Sequence, residues 1–192
     1  MSRAVEVGPE HTANLLGALS LVLHDRSLEA ISQAIGQSET AAAALSALDN
    51  FLDQPTIGLV HRVLGLTPSG TVRLVDRLEA EGYLDRRQGA DGRSTVVHLT
   101  RRGRRAARKA AEARANVLGQ ALSTLSSDEQ RALDASLSSL LVAMMRGPDA
   151  RRFMCRLCDA RACGHADGRC PVRNAGRERF GAASATQAKQ AR

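Results

Sequence analysis

Apolar residues recur mostly at helical spacing along this chain. Between residues 11 and 37 most of them fall three, four or seven positions apart, which predicts an amphipathic helix. An interruption of this helix is expected near residues 25–27. An alanine-rich helix is expected from residue 41 to about residue 53, and Pro55 stops it. The first quarter of the chain is therefore predicted to be two helices.

Two longer helical patterns lie in the second half of the chain. Thr100 is placed to cap a helix that runs to about Leu122, and its first nine residues include six basic ones. Ser127–Gln130 has the pattern of a capping box for another helix, which glycine and proline end just after Arg146. Both helices have apolar faces, so the fold class is predicted to be mostly α.

Residues 56–109 have a different organisation. A short apolar helix is followed by a break at residues 65–67 and by a second helix over residues 68–80, with Thr67 as its N-cap and Pro68 at its first position. From residue 83 to 100 the pattern becomes that of a hairpin with a glycine-containing turn. Two short helices and a hairpin with arginines at its tip predict a winged helix-turn-helix with a small β-wing.

The second of these short helices has one face suited to a DNA groove. Its buried stripe is predicted to be Val72, Val75 and Leu78, with Leu74 beside it. The exposed side then carries small polar residues in the first turn and arginines behind them. Such a helix can place its N-terminal part in the major groove.

Charge along the chain supports a polyanionic partner. Residues 1–61 carry two basic and seven acidic side chains, net −5, whereas residues 62–109 carry twelve basic and five acidic ones, net +7. Positive charge therefore begins where the helix-turn-helix begins, as expected for a surface that neutralises phosphates. The chain has three Phe, one Tyr and no Trp, which argues against single-stranded nucleic acid binding through base stacking.

The start of the chain and its apolar runs bear on its location. Residues 1–10 are polar and of mixed charge, without the apolar core of a secretion signal. No apolar run reaches the roughly 18 residues that a membrane-spanning helix needs. A cytoplasmic protein without a membrane partner is expected, and its four cysteines would stay reduced there.

Two stretches of the predicted winged lobe resemble the MarR family of bacterial winged-helix regulators. Residues 91–103, DGRSTVVHLTRRG, are similar to the family's wing, with Asp-x-Arg, an apolar strand, Leu-Thr and a following glycine. Residues 72–84, VRLVDRLEAEGYL, are similar to its recognition helix and the exit into the wing. The resemblance extends over residues 38–146.

The resemblance implies a homodimer formed by the N- and C-terminal helices. Its two winged lobes would grip a pseudo-palindromic operator, with recognition helices about 34 Å apart. The implied function is that of a sequence-specific, double-stranded DNA-binding transcription regulator, a repressor and not an enzyme. The resemblance also allows a small-molecule inducer.

Site residues follow from the resemblance by position. It assigns base contacts to Ser69, Thr71 and Arg73 of the second short helix. It assigns a phosphate contact to Arg77 and a minor-groove contact to Arg93 at the wing tip.

Other charged residues of the lobe have more than one possible partner. Arg86 and Arg87 could touch phosphates or simply be solvated. Asp76 and Asp91 are expected to pair with arginines at the surface rather than to act as catalytic carboxylates. A buried Asp–Arg pair that ties the helix to the wing is the alternative.

All four cysteines lie in one short segment after the last predicted helix. Cys155, Cys158, Cys163 and Cys170 have the spacing C-x2-C-x4-C-x6-C. Leu157 is the only large apolar residue between them. The cysteines are therefore expected to close around a metal rather than to pack as a core. Zinc is the first interpretation and an iron–sulfur cluster the second, with free or reversibly oxidised thiols as the third. His165 could replace Cys163 as a ligand.

Five regions are predicted along the chain. These are an N-terminal dimerisation region 1–37, a DNA-binding lobe 38–109, C-terminal dimerisation helices 110–147, a metal module 148–174 and a disordered tail 175–192. Metal or oxidation at the cysteines would lie close to the dimerisation helices and could control repression. A structural centre that only anchors the tail is the alternative, and it is the more expected of the two. The alternative functions are an RNA-binding protein and a metal- or thiol-handling protein that uses the cysteine module.

Overall fold

The computed structural model describes residues 8–147 and 150–181. They form eight helices and two strands in the following order: α1 Pro9–Ile35, α2 Glu39–Asn50, α3 Ile57–Leu64, α4 Pro68–Ala80, β1 Leu84–Gln88, β2 Thr95–Leu99, α5 Arg101–Leu122, α6 Ser127–Ala143, α7 Ala150–Met154 and α8 Pro171–Phe180. The predicted class, mostly α with a small β-wing, is confirmed.

α1 is one continuous helix, so the interruption expected near residues 25–27 is wrong. Asp25 and Arg26 are exposed while Ser27 is buried, and the helix tolerates all three without a break. It ends at Gly36, whose φ of 64° is the left-handed conformation that glycine adopts readily. α1 then packs along α5.

The winged lobe consists of α2, α3, α4, both strands and the first turns of α5. Its core joins side chains from every one of these elements, including Leu45, Val60, Leu78, Leu84 and Val97. α2 contributes mainly alanines, of which Ala41, Ala42, Ala43, Ala44 and Ala47 are buried. These small side chains allow the backbone of α2 to approach α1 and α5 closely.

The wing is an antiparallel hairpin in which Leu84 pairs with Leu99 and Gln88 pairs with Thr95. Val97 and Leu99 are buried on the core side, as the alternation predicts. Val96 is buried as well, because its strand also forms a bridge with Thr56 ahead of α3. The segment before the helix-turn-helix thus fastens the wing to it.

α5 crosses the predicted boundary between residues 109 and 110 without a break. Thr100 caps it as expected, since the Thr100 Oγ1 atom accepts a hydrogen bond of 3.0 Å from the Gly103 backbone N–H. Ala106 and Ala107 belong to the lobe core, whereas Ala110 packs with Ile31 and Ala42. α5 therefore connects the winged lobe to the long helices.

A close backbone approach at Gly103 predicts a large effect of adding a single methyl group. A Cβ there would lie 2.1 Å from the Tyr83 carbonyl oxygen and 2.9 Å from Leu99 Cδ2. Gly103→Ala should therefore lower the free energy of unfolding by about 1–3 kcal/mol, as overpacking does, in urea denaturation. Gly119→Ala on the same helix, where a Cβ meets nothing within 4 Å, is the control. It should stabilise by up to about 1 kcal/mol, and equal effects of the two substitutions would contradict the contact.

The last long helix starts and ends earlier than predicted. Its capping box is formed by Ser126 and Glu129, not by a box starting at Ser127. The Ser126 N–H donates to the Glu129 carboxylate at 2.8 Å, and the helix ends at Ala143 rather than at residue 146. Serine occupies both position 126 and position 127, so the sequence alone does not determine which of the two is the N-cap.

The C-terminal segment, residues 150–181, is more ordered than the sequence indicates. α8 covers residues 171–180, so the disorder predicted from residue 175 is wrong up to Phe180. The rest of the predicted tail, from residue 182, lies outside the described residues. Cys170, Val172 and Ala175 are buried against Met145. The expectation that the cysteine segment cannot pack as a core is therefore also wrong.

None of the helices within residues 8–147 and 150–181 is long and apolar enough to cross a membrane.

Candidate nucleic-acid interface and cysteine cluster

The turn between α3 and α4 sets the position of the candidate reading helix. Gly65 ends α3 with a φ of 65°, a conformation that favours glycine. One residue later the Leu66 carbonyl lies 2.6 Å from the His61 Nδ1 atom. Thr67 then caps α4, its Oγ1 atom accepting the Gly70 N–H at 3.1 Å. The start of α4 is thus held by hydrogen bonds that the local sequence itself provides.

The buried face of α4 differs from the predicted one at a single residue, because Thr71 is buried in place of Val72. It consists of Thr71, Leu74, Val75 and Leu78. Thr71 is fully buried and its hydroxyl donates to the Thr67 carbonyl oxygen at 3.0 Å, so the assignment of Thr71 to base reading is wrong. Val72 is 42% exposed instead.

The solvent face of α4 carries Ser69, Val72, Arg73, Asp76 and Arg77. Ser69 and Arg73 lie where the sequence predicts them. Val72, which the sequence assigns to the buried stripe, is a candidate interface residue, because an exposed apolar side chain among polar ones suits contact with a thymine methyl group. The combination of a hydroxyl, a branched apolar group and a guanidinium can distinguish base edges in a major groove.

Arg77 is directed toward the start of α2. Its Nη2 atom donates to the Ser38 Oγ atom at 3.4 Å, and its Nε atom lies 4.0 Å from the Glu81 carboxylate. Both contacts are partly exposed and long. The guanidinium therefore stays at the surface beside the N-terminus of α2. A phosphate contact of Arg77 remains a prediction.

Arg86 joins the wing to α4. Its guanidinium pairs with Asp76, at 2.5 Å, and with Glu79. Its backbone N–H also donates to the Glu79 carboxylate at 2.9 Å. The hydrogen bond to Asp76 and the two acidic charges raise the pKa of Arg86 above its ordinary value, against the effect of burial. Arg86 thus forms the Asp–Arg pair between helix and wing that the sequence allows, rather than being simply solvated.

The wing tip is an Asp-centred turn. The Asp91 carboxylate accepts hydrogen bonds from the Ser94 N–H at 2.8 Å and the Arg93 N–H at 3.0 Å. These hydrogen bonds lower the pKa of the Asp91 carboxyl below its ordinary value, and the bond from Ser94 has the largest effect. The turn leaves the Arg93 side chain exposed at the tip, as predicted. Asp91 thus shapes the turn through Ser94 and the backbone of Arg93, and not through the arginine side chain that the sequence predicts as its partner.

Basic side chains crowd the first turns of α5. Arg101, Arg102, Arg104, Arg105, Arg108 and Lys109 are all exposed. Arg104 donates to the Leu99 carbonyl oxygen at 2.8 Å, and the Arg102 guanidinium lies 4.6 Å from the centre of the Tyr83 ring. The lobe therefore has a second positively charged surface beside the wing.

The four cysteines converge on one small cavity. Cys155, Cys158, Cys163 and Cys170 line a space of about 30 Å³ together with Phe51 and His165. All four are free thiols. Within the described part of the chain, no three His, Cys, Asp or Glu side chains stand in positions that already form a metal site. Coordination would need a local adjustment of the four side chains.

The thiols of the cluster influence one another's protonation. A hydrogen bond from Cys155 lowers the pKa of Cys158 to about 6, with the positive charge of Arg114 acting in the same direction. The same hydrogen bond and burial raise the pKa of Cys155. Burial raises the pKa of Cys163 to about 12, helped by its hydrogen bond with Cys170. Four soft sulfur donors around one cavity fit a thiolate-bound metal chemically.

A cleft of about 330 Å³ separates the long helices from the cysteine segment. Its lining includes Leu23 and His24 of α1, Glu39 of α2, and Arg114 of α5. Met154, Arg156 and Leu157 form the opposite wall. Its volume is within the range of small-molecule sites.

Part of the winged lobe matches a known family. Residues 35–94 match the profile of the MarR family, which confirms a MarR-type winged-helix domain. No curated protein matches the chain.

Solved structures share the fold over about three-quarters of the chain or somewhat less. The crystal structure of Rv1404 from Mycobacterium tuberculosis is 24% identical, with a TM-score of 0.65, covering 76% of this chain and 100% of that one. MepR, a transcription regulator of the Staphylococcus aureus multidrug efflux pump MepA, is 19% identical, with a TM-score of 0.61, covering 69% of this chain and 97% of its own. MepR in complex with DNA, also 19% identical over the same shares of both chains, has a TM-score of 0.55. At these identities the likeness establishes the fold.

Proposed function

We propose that this chain, which contains a MarR-type winged-helix domain, is a sequence-specific double-stranded DNA-binding transcription regulator that acts as a repressor. The observation that carries the proposal is the solvent face of α4, where Ser69, Val72 and Arg73 share one surface. Arg93 at the wing tip supplies a second contact for the minor groove. Such a protein works by binding rather than by catalysis, in the cytoplasm.

The proposal includes a homodimer formed by the long helices. Large apolar side chains on the outer faces of α1 and α6 are exposed, namely Leu15, Leu16, Leu19, Leu21, Val22, Leu137, Leu140, Leu141 and Met144. Apolar faces of this size usually mark an interface. A two-fold dimer through these faces would present two α4 helices to one pseudo-palindromic duplex.

We further propose that the four cysteines hold one metal centre. Zinc is favoured because an all-thiolate set in a closed, packed segment is typical of structural zinc sites. An iron–sulfur cluster is the alternative, since four cysteines serve that group equally. Cys155, Cys158, Cys163 and Cys170 would be the ligands, and the ion would supply a cross-link between their backbone segments. DNA binding would respond to this centre or to a small molecule in the cleft between α1, α2 and α5.

Selection from a randomised library of duplexes tests the DNA-binding proposal. The full-length protein should enrich an inverted repeat whose half-sites are centred about 10 base pairs apart, one helical turn. A random RNA library of equal length is the control, and it should yield no common motif. Failure to enrich any duplex motif, or enrichment from RNA alone, would contradict the proposal.

A further inference from the structure

We propose that the metal-bound cysteine segment is a clamp that fastens the winged lobe to the end of α6, so that metal loading raises the affinity for DNA. The inference rests on the metal centre and the DNA binding proposed above. It adds that binding of the metal changes the affinity for DNA. The cysteine segment touches the lobe with its first part and α6 with its last part.

The first part packs against the helix-turn-helix. A Cβ placed on Gly65, in the turn between α3 and α4, would lie 3.1 Å from the Phe153 ring. Leu157 packs against the lobe core and also against the cluster of Ile31, Ala42 and Ala110. The turn that positions the reading helix thus has the cysteine segment directly behind it.

Polar contacts fix the same part to α2. The Ala160 backbone N–H donates to the Asn50 Oδ1 atom at 3.1 Å, across 110 positions of sequence. The Arg156 guanidinium lies 4.0 Å from the Glu39 carboxylate and 4.4 Å from the centre of the Phe153 ring. Both ends of α2 therefore contact the segment that carries Cys155 and Cys158.

The last part of the segment packs on α6. Cys170 precedes the first residue of α8, and Val172 and Ala175 of that helix are buried against Met145. Arg179 donates to the Val142 carbonyl oxygen at 3.0 Å. α8 therefore moves with the end of α6, which is part of the proposed dimer interface.

The four cysteines stand between these two attachments. Cys158 follows Leu157, which packs against the lobe, whereas Cys155, Cys163 and Cys170 pack with Met145 just after α6. In the free-thiol state Cys155 shares a hydrogen bond with Cys158, and Cys163 shares one with Cys170. Hydrogen bonds from S–H groups are weak. An ion bound by all four would join the two attachments by strong bonds.

A joined clamp favours DNA binding by reducing the freedom of the lobe. A dimer must place both lobes at once, and a lobe held in position loses less conformational entropy on binding. Linkage then requires that DNA increase the affinity for the metal by the same factor. Coupling of this kind is typically about 5- to 150-fold.

Removing the lobe-side contacts while keeping the cysteines tests the clamp. The measurement is the affinity of full-length protein for a duplex obtained by the selection above, without metal and with one equivalent of Zn²⁺ per chain. Zinc should tighten binding by the wild type at least about fivefold. The double variant Asn50→Ala/Phe153→Ala should bind the same one zinc but lose most of that gain.

Two further variants serve as controls. Asn50→Asp keeps an oxygen acceptor for the Ala160 N–H and loses only the hydrogen bonds that the Asn50 amide donates to Ser46, so it should retain the zinc effect on DNA affinity. Asn116→Ala, at an exposed position of α5, should behave as the wild type.

Three results separate the possible failures. If no zinc binds to the wild type, the metal centre itself is wrong. If zinc binds but duplex affinity does not change, the centre stands and the clamp is wrong. If the double variant keeps the full zinc effect, the coupling does not pass through Asn50 and Phe153, and the clamp is overturned. An absence of duplex binding in every state would instead refute the DNA-binding proposal.

Discussion

Replacing Arg73 by alanine should make the free energy of binding to the selected duplex less favourable by about 2–6 kcal/mol. One bidentate contact to a guanine is worth about 1–3 kcal/mol, and a two-fold dimer makes the contact twice. Arg73 is exposed on the solvent face of α4, so its removal should leave the fold intact. Titration of a labelled duplex by fluorescence anisotropy measures the loss.

Two matched substitutions show whether the loss comes from base reading. Arg73→Lys keeps the charge but not the planar fork, so it should lose discrimination between duplexes more than it loses affinity for DNA in general. Arg131→Ala removes an exposed arginine from α6 and should change affinity little. If Arg73→Ala folds as the wild type and binds with equal affinity, α4 is not the reading helix.

Replacing Cys155 and Cys158 together by serine should abolish metal binding. Two of four thiolate donors are lost, and a structural zinc site contributes free energy of about 10–16 kcal/mol in isolated zinc-finger peptides. The contribution should be smaller here because α8 also packs on α6. Metal content per chain and the thermal unfolding midpoint are the measurements, on protein purified without oxygen.

The metal-free wild type is the control for the cysteine variant. Its midpoint should match that of the variant, and both should lie below the metal-loaded wild type. A colourless protein with one zinc per chain would support zinc, whereas a coloured protein with iron and acid-labile sulfide would support the cluster. A loaded protein no more stable than the metal-free one would contradict a structural role for the centre.

Most of the winged lobe could be predicted because its signals are local. Thr67 and Thr100 cap the helices that the sequence assigns to them, and Gly65 ends α3. Each of these capping hydrogen bonds spans no more than four positions. Proline at the first position of α4 and the Asp-Gly turn of the wing are signals of the same kind.

The buried stripe of α4 was predicted wrongly only at its first residue, because both Val72 and Thr71 fit helical spacing. Val72 lies three positions before Val75, and Thr71 lies four positions before it. Valine is more apolar than threonine, which favours burying Val72. The helix buries Thr71 instead, since the Thr67 carbonyl oxygen accepts its hydroxyl and removes the cost of a buried polar group.

The attachment of the cysteine segment could not be predicted from sequence. Spacing indicates that the four thiols converge, but the bond between Asn50 and Ala160 spans 110 positions and leaves no local pattern. Residues 175–180 of α8 were mistaken for a disordered tail because only Val172 and Ala175 of this mostly polar helix are buried. Both side chains are buried against Met145, a contact that the local sequence does not indicate.

Specific binding of duplex DNA is the central claim, and a comparison of two duplexes tests it most directly. One is the selected inverted repeat, and the other has the same length and base composition in scrambled order. At about 150 mM salt the dimer should prefer the inverted repeat at least about a thousandfold. Equal affinities, falling together as salt rises, would show that the protein binds only through its charge and would contradict the account.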